Sequence, residues 1–240
     1  MSYIEKTCWC NPANYGGGRN LSAIKYIVIH YTGNDGDTDE SNALYFHNNV
    51  LTGNRLASAH DFVDDDSVTH SVAHDHVAYH CGTSGRYFHP YCRNSNSIGI
   101  EMCDTVRDGV YALSAKTRAN AIAYVATLMR KYNIPIDRVV RHYDVTHKQC
   151  PAYFVNEARW ANFKSELEDE LMDGKEMYEK INSYLANLPL PDWHNGQPAG
   201  ELQEAIDLGI TDGTRPMQLI PRYQAAIMCL RAVKAARKNG

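Results

Sequence analysis

The feature that most constrains this chain is a set of three soft donors placed beside short apolar runs. His30 closes Tyr26-Ile27-Val28-Ile29. His142 follows Val139-Val140-Arg141, and Cys150 ends the segment Tyr143-Asp144-Val145-Thr146-His147-Lys148-Gln149-Cys150. Two imidazoles and one thiolate suit Zn²⁺, a borderline-soft cation. Three protein ligands leave a fourth position open to water, which is the arrangement of a catalytic zinc rather than a structural one. Donors at strand ends also fit a mixed α/β scaffold, on which strand termini and loops carry the sites.

The surrounding pattern supports that scaffold. Residues 1–20 are rich in Asn, Gly, Cys and Tyr and read as an extended lead-in, broken at Gly16-Gly17-Gly18. Tyr26 to Ile29 reads as a buried strand. Asp39 to Val50 reads as a helix capped by Thr38, with Ala43, Phe46 and Val50 on one side. Ser58 to Val63 and Ser67 to Ser71 read as strands joined by the acidic turn Asp64-Asp65-Asp66. Val77 to Tyr79 is a short strand, Arg86 to Ser97 a polar loop, and Ile98 to Met102 a central strand. Ser114 to Tyr132 is a strong helix with Ser114 as cap and Ile122, Val125, Leu128 and Met129 on one stripe. Arg138 to Arg141 is a last strand, and Phe154 to Leu171 a closing helix. Alternating strands and helices predict an α/β domain over residues 1–170. Beyond it, breakers at Leu188-Pro189-Leu190-Pro191 and Asn195-Gly196-Gln197-Pro198 precede helices at Leu202 to Leu208 and Arg222 to Ala236. This predicts a small helical module over 171–240.

Composition narrows the function classes. A net charge of −4 over 240 residues carries no basic footprint for nucleic acid. No run approaches the ~18 apolar residues of a membrane span. The start, Met1-Ser2-Tyr3-Ile4-Glu5-Lys6, lacks a basic-then-apolar leader, so the expected place of synthesis and residence is a cytoplasm. Seven cysteines leave at least one unpaired. Free thiols in a reducing compartment fit Cys8, Cys10, Cys81, Cys92, Cys103 and Cys229, and a Cys81–Cys92 disulfide is the alternative.

A zinc site of this kind lowers the pKa of bound water to roughly 7. Attack on an amide then needs a proton acceptor and a donor for the oxyanion. Glu101, at the end of Ile98-Gly99-Ile100, is the acid/base candidate. Lys148, two residues before Cys150, is the oxyanion candidate, since an extended chain turns both side chains to the same side. Asp144 is a candidate to orient a ligand histidine. The residues alone leave blander readings open. His30 could be a satisfied structural histidine, and Glu101 a buried ion-pair partner. His70, His74, His76 and His80 could be surface polarity rather than a metal cluster.

Three ordered motifs bear on that choice. Ile27-Val28-Ile29-His30-Tyr31-Thr32, Asn96-Ser97-Ile98-Gly99-Ile100-Glu101 and Arg141 to Pro151 together resemble the type 2 N-acetylmuramoyl-L-alanine amidases. That family includes phage endolysins and is related to peptidoglycan recognition proteins. The resemblance covers roughly residues 20 to 165. It implies a central mixed β-sheet flanked by helices, with zinc on His30, His142 and Cys150, Glu101 as catalytic glutamate and Lys148 as oxyanion lysine. It also implies His80 and Asn96 as groove residues that touch substrate, with bacterial peptidoglycan as the partner. One branch of the family has a catalytic tyrosine and lacks the glutamate. Here the matching stretch reads Ala59-His60-Asp61-Phe62, without tyrosine, and the glutamate is present. His147 stands where relatives often have a small residue, and could narrow the groove.

The implied activity is cleavage of the amide between N-acetylmuramic acid and L-alanine by a phage or prophage lysis enzyme. Such an enzyme is held in the host cytoplasm until release to the wall. Residues 205–228 are weakly similar to one S-layer-homology-like unit, which implies wall targeting. A packing or dimerising appendage is the alternative. A cytoplasmic muropeptide-recycling amidase and a non-catalytic peptidoglycan-binding protein are the rival functions.

Overall fold

The computed structural model describes residues 3–53, 56–82, 85–172, 174–186, 203–208, 210, 225 and 227–233. Two compact units divide the chain at Leu171 and Met172.

In the first unit the strands are β1 (Ile4–Thr7), β2 (Gly16–Gly18), β3 (Tyr26–Tyr31), β4 (Asp61–Val63), β5 (Ser67–His70), β6 (His76–Val77), β7 (Ser97–Met102), β8 (Thr105–Arg107), β9 (Val110–Ala112) and β10 (Val139–Arg141). The helices are α1 (Asp39–Asn48), α2 (Ala115–Tyr132), α3 (His142–Thr146) and α4 (Glu157–Leu171). Six strands form one mixed sheet in the order β1-β5-β4-β7-β3-β10. Only the β4–β5 pair in it is antiparallel. This is the α/β arrangement expected from the alternating pattern.

Alternation along the central strands sorts their side chains between the two faces of the sheet. Ile27 and Ile29 of β3, and Ile98, Ile100 and Met102 of β7, enter the large core that includes the α2 stripe and Trp160, Phe163 and Leu167 of α4. Tyr26, Val28 and Val140 pack on the opposite face with Cys81, Cys92 and Val145. The period of two therefore places His30 and Glu101 on that second face.

Local sequence sets the helix ends. The Ser114 hydroxyl accepts from the Thr117 N–H at the start of α2, and Asn133 closes the helix in the left-handed region at φ 52°. Thr38 and Ser41 form a reciprocal capping box on α1. Inside α2 the Asn120 amide donates to the Asp64 and Asp65 carbonyls, which fixes the acidic turn between β4 and β5.

Several expectations are corrected. The lead-in contains β1, an edge strand parallel to β5, and the glycine run is itself β2, paired with β6. α1 stops at Asn48 and Val50 is 59% exposed, so Val50 does not belong to its buried side. The strand expected at 58–63 shrinks to β4, the one expected at 77–79 shifts to β6 and keeps only Val77, and the last helix starts at Glu157 after a 3₁₀ turn at Ala152–Phe154. The hairpin β8–β9 was not anticipated, although Asp108-Gly109 is a turn signal with both residues at positive φ.

In the second unit α5 (Gly174–Ala186) was also not anticipated. Helical turns occupy 203–207 and 227–233, within the two expected helices. The breakers at 188–191 and 195–198 lie outside the described residues, as do Leu202 and most of the segment 209–224. No helix among the described residues is long and apolar enough to cross a membrane.

Candidate metal centre and active site

Register assembles the site. β3 and β7 run parallel with His30 beside Glu101, and β4 sets Phe62 beside Glu101 from the other side. β10 pairs Arg141 with Ile29, so His142, the first residue of α3, follows at the level of His30. Cys150 returns through a short loop closed by a hydrogen bond from the Tyr143 N–H to the Cys150 carbonyl, 2.9 Å. The donor atoms of His30, His142 and Cys150 lie within 4.8 Å of one another. The sulfur is 3.6 Å from His30 Nδ1, and Glu101 Oε1 is 3.9 Å from the same nitrogen.

The chemistry of these groups fits a cation. All three ligand candidates are buried. Among the described residues neither ring nitrogen of His142 has a hydrogen-bond partner, nor does Glu101 Oε2. Such orphaned polar atoms are costly unless something completes them. Burial, with the His142 and His80 rings and Lys148 beside it, holds His30 well below its usual pKa. Burial and Lys148 lower His142 to about 4, against a smaller opposing effect from the Gly82 backbone. Both imidazoles are therefore neutral at pH 7 and offer lone pairs. Burial pushes the Cys150 thiol far up, so only a bound cation would ionise it. This donor set suits zinc.

Glu101 sits at the rim of the site with one fifth of its side chain exposed. Burial raises it to about 8, and Lys148 acts in the opposite direction. Lys148 is exposed. Its ammonium makes no hydrogen bond or ion pair among the described residues, yet its charge is felt by His30, His142, Glu101 and Cys150. A cavity of about 490 Å³ opens from Glu101 and is lined by Thr32, Asn34, Asp37, Asn42, Tyr45 and Phe62 among others. Sequence reasoning missed this wall, because its residues come from the β3 exit and α1 and show no motif of their own.

Other expected site residues have different places. His80 is buried behind His30, with Nδ1 3.0 Å from His30 Nε2 and Nε2 3.2 Å from Ser97 Oγ. Asn96 uses both ends of its amide inside its own turn, on the Arg93 N–H and the Tyr91 carbonyl. His80 is thus buried, and Asn96 is half-buried. Asp144 does not orient a ligand histidine; it accepts hydrogen bonds from the buried Arg141 side chain, which also holds Glu157 and the Phe154 carbonyl. His147 caps α3 and stacks on Phe88. The histidines at 70–80 are neither a single metal cluster nor plain surface polarity. His70 and His74 grip the two oxygens of fully buried Asp61 at 2.7 and 2.9 Å, and His76 pairs with exposed Asp75. Cys81 and Cys92 pack together as free thiols.

A mixed sheet presenting two imidazoles, a thiol and a carboxylate at adjacent strand ends defines a candidate metal-dependent hydrolase. The family model for N-acetylmuramoyl-L-alanine amidases matches residues 20–153, and the chain belongs to that family. It is 37% identical over 144 residues to a probable N-acetylmuramoyl-L-alanine amidase of Bacillus licheniformis, an alignment covering 59% of this chain and 40% of that protein. It is 31% identical over 228 residues to the amidase CwlA of Bacillus subtilis strain 168, covering 92% of this chain and 78% of the other. The chain spans less than half the length of four of the curated relatives it matches. Among solved structures, a mutant endolysin from Bacillus subtilis aligns with a TM-score of 0.56 and 28% identity, covering 69% of this chain and 99% of that one.

Proposed function

We propose that this protein is a zinc-dependent peptidoglycan amidase that hydrolyses the bond between the lactyl group of N-acetylmuramic acid and L-alanine. The observation that carries the reading is the convergence of His30, His142 and Cys150 within 4.8 Å, beside Glu101. When bound, zinc supplies Lewis acidity toward the scissile carbonyl and makes a water acidic enough to attack it near neutral pH. Glu101 takes the proton of the attacking water and delivers it to the departing amide nitrogen of L-alanine. A group raised to about 8 exchanges protons with little loss in either direction near neutral pH. Lys148, exposed and without a hydrogen bond or ion pair among the described residues, donates to the carbonyl oxygen as negative charge builds there. The cavity beyond Glu101 accommodates the flanking part of the substrate.

The likeness to an endolysin supports a lysis role, with the protein held in the producing cell until release and acting on the wall of a Gram-positive bacterium. Residues 171–240 serve wall attachment in this reading, with dimerisation as their alternative role. The test is mass spectrometry of fragments released from purified walls, with and without a chelator. Stem peptides beginning with L-alanine, lost on chelation and restored by zinc, are expected. Cleavage at another bond, or cleavage indifferent to the chelator, would overturn the proposal.

A further inference from the structure

His80 was expected at the substrate, yet it is buried against a ligand candidate, and the direction of each hydrogen bond around it can be worked out. Ser97 Oγ lies 2.7 Å from the Arg93 carbonyl, which can only accept, so the hydroxyl hydrogen is spent there. Toward His80 Nε2, 3.2 Å away, Ser97 must then accept, and Nε2 carries a hydrogen. In a neutral ring that leaves His80 Nδ1 bare. Nδ1 is 3.0 Å from His30 Nε2 and 3.1 Å from the Cys81 sulfur; two bare ring nitrogens 3.0 Å apart would repel, so His30 Nε2 carries the hydrogen and donates to Nδ1, beside the Cys81 thiol. The nitrogen left bare on His30 is Nδ1, the one that faces Cys150 and Glu101.

The relay is built into the fold. The Asn94 side-chain oxygen accepts from both the His80 and Cys81 N–H groups, which pins the chain at that point. The His80 ring lies against Gly99, where a Cβ would stand 2.4 Å from His80 Cγ. Any larger residue at 99 would displace the ring.

We infer that His80 and Ser97 are positioning residues that hold His30 in the tautomer with Nδ1 free for a metal, a relay anchored on the Arg93 carbonyl. This rests on the reading of His30, His142 and Cys150 as the metal site. A competing arrangement is present, because His30, His80 and Cys81 also bring three donor atoms within 4.8 Å. A 3.0 Å contact between the two imidazole nitrogens is hydrogen-bond length, which favours the relay.

The experiment uses the full chain and two readouts. The first is zinc affinity by competition with a chromophoric chelator, for wild type and for His80→Leu, His80→Asn, Ser97→Ala, Cys81→Ser and Cys150→Ser, with urea unfolding to show that each variant folds. His80→Leu is expected to bind zinc about 10–100-fold more weakly. His80→Asn keeps an acceptor near the place of Nδ1 and is expected to recover most of that loss. Ser97→Ala, the mildest change, falls between wild type and His80→Leu. Cys150→Ser abolishes tight binding and Cys81→Ser does not. The second readout is the His30 tautomer in the metal-free protein, from ¹⁵N-resolved NMR of the imidazole. The hydrogen is expected on Nε2 in wild type, with that preference lost in His80→Leu.

Unchanged affinity in His80→Leu, or equal loss in a folded His80→Asn, overturns the relay. So does a Cys81→Ser effect as large as that of Cys150→Ser, which would move the metal to the other donor group. If wild type binds no zinc, the metal reading fails, while the tautomer measurement still decides the relay.

Discussion

At the scale of single residues, the burden on Glu101 can be separated from the metal. Replacing its carboxylate with an amide leaves the three ligand candidates intact. Glu101→Gln is expected to lower kcat by about 10²–10⁴-fold with zinc stoichiometry unchanged, read by wall-clearing kinetics beside metal analysis. Loss of zinc in the variant would make Glu101 a ligand instead. The Asp61 cluster makes a different forecast, since it lies away from the metal donors. Burial raises the Asp61 carboxyl, but His74 and His70 outweigh it and hold it well below the usual range. The bond to Asp61 raises His70 above its ordinary value, against burial. The sign follows from linkage. The Asp61 contribution is present above about pH 4 and lost in stronger acid, and that of His70 is present below about pH 6.5 and lost as pH rises through its raised value. Breaking this buried pair with Asp61→Asn is expected to cost about 3–5 kcal/mol near pH 5.5. The gap from wild type should narrow toward about pH 8.5 in urea titrations, and a gap independent of pH would show that His70 is not the charged partner.

At the scale of elements, the two faces of the β3–β7 pair carry separate duties, and substitutions should separate them. Phe163 of α4 is fully buried on the core face, against Phe154 and Trp160. Phe163→Ala is expected to lower stability by about 3–5 kcal/mol, without altering zinc affinity in the folded protein. Gly99 opens toward the site face. Gly99→Ala forces the His80 ring aside and is expected to cost about 1–3 kcal/mol by overpacking, together with a loss of zinc affinity. Denaturation and chelator competition on the same two samples check both. These elements also show what local pattern can carry. The α2 stripe and its Ser114 cap were legible because periodicity and capping are local properties. β1 was not, because an edge strand with exposed Ile4 and Glu5 lacks an apolar run. β2 was not, because three glycines signal flexibility unless a partner strand pairs with them.

At the scale of the whole molecule, Met1–Leu171 contains the sheet, its helices and every candidate catalytic group. A chain ended after residue 171 is therefore expected to unfold cooperatively, bind one zinc and cleave soluble muropeptides near the full-length rate. Its loss should appear in sedimentation with intact walls, if residues 171–240 attach the protein there. Equal wall binding by both forms would leave dimerisation as the role for that segment, checked by sedimentation equilibrium. The alternation of strands and helices, the donor types at 30, 142 and 150, and the carboxylate and ammonium at 101 and 148 are legible in the linear chain, because residue chemistry and periodicity are written locally. Strand order, a property of the folded chain, sets β3 beside β7 in a register that pairs His30 with Glu101. Tertiary packing likewise turned His80 from the groove to the back of His30, and gave Asp144 to Arg141 rather than to a ligand. Side-chain partners across a sheet or under a loop depend on strand order and burial, and a linear pattern of residues does not encode these one position at a time.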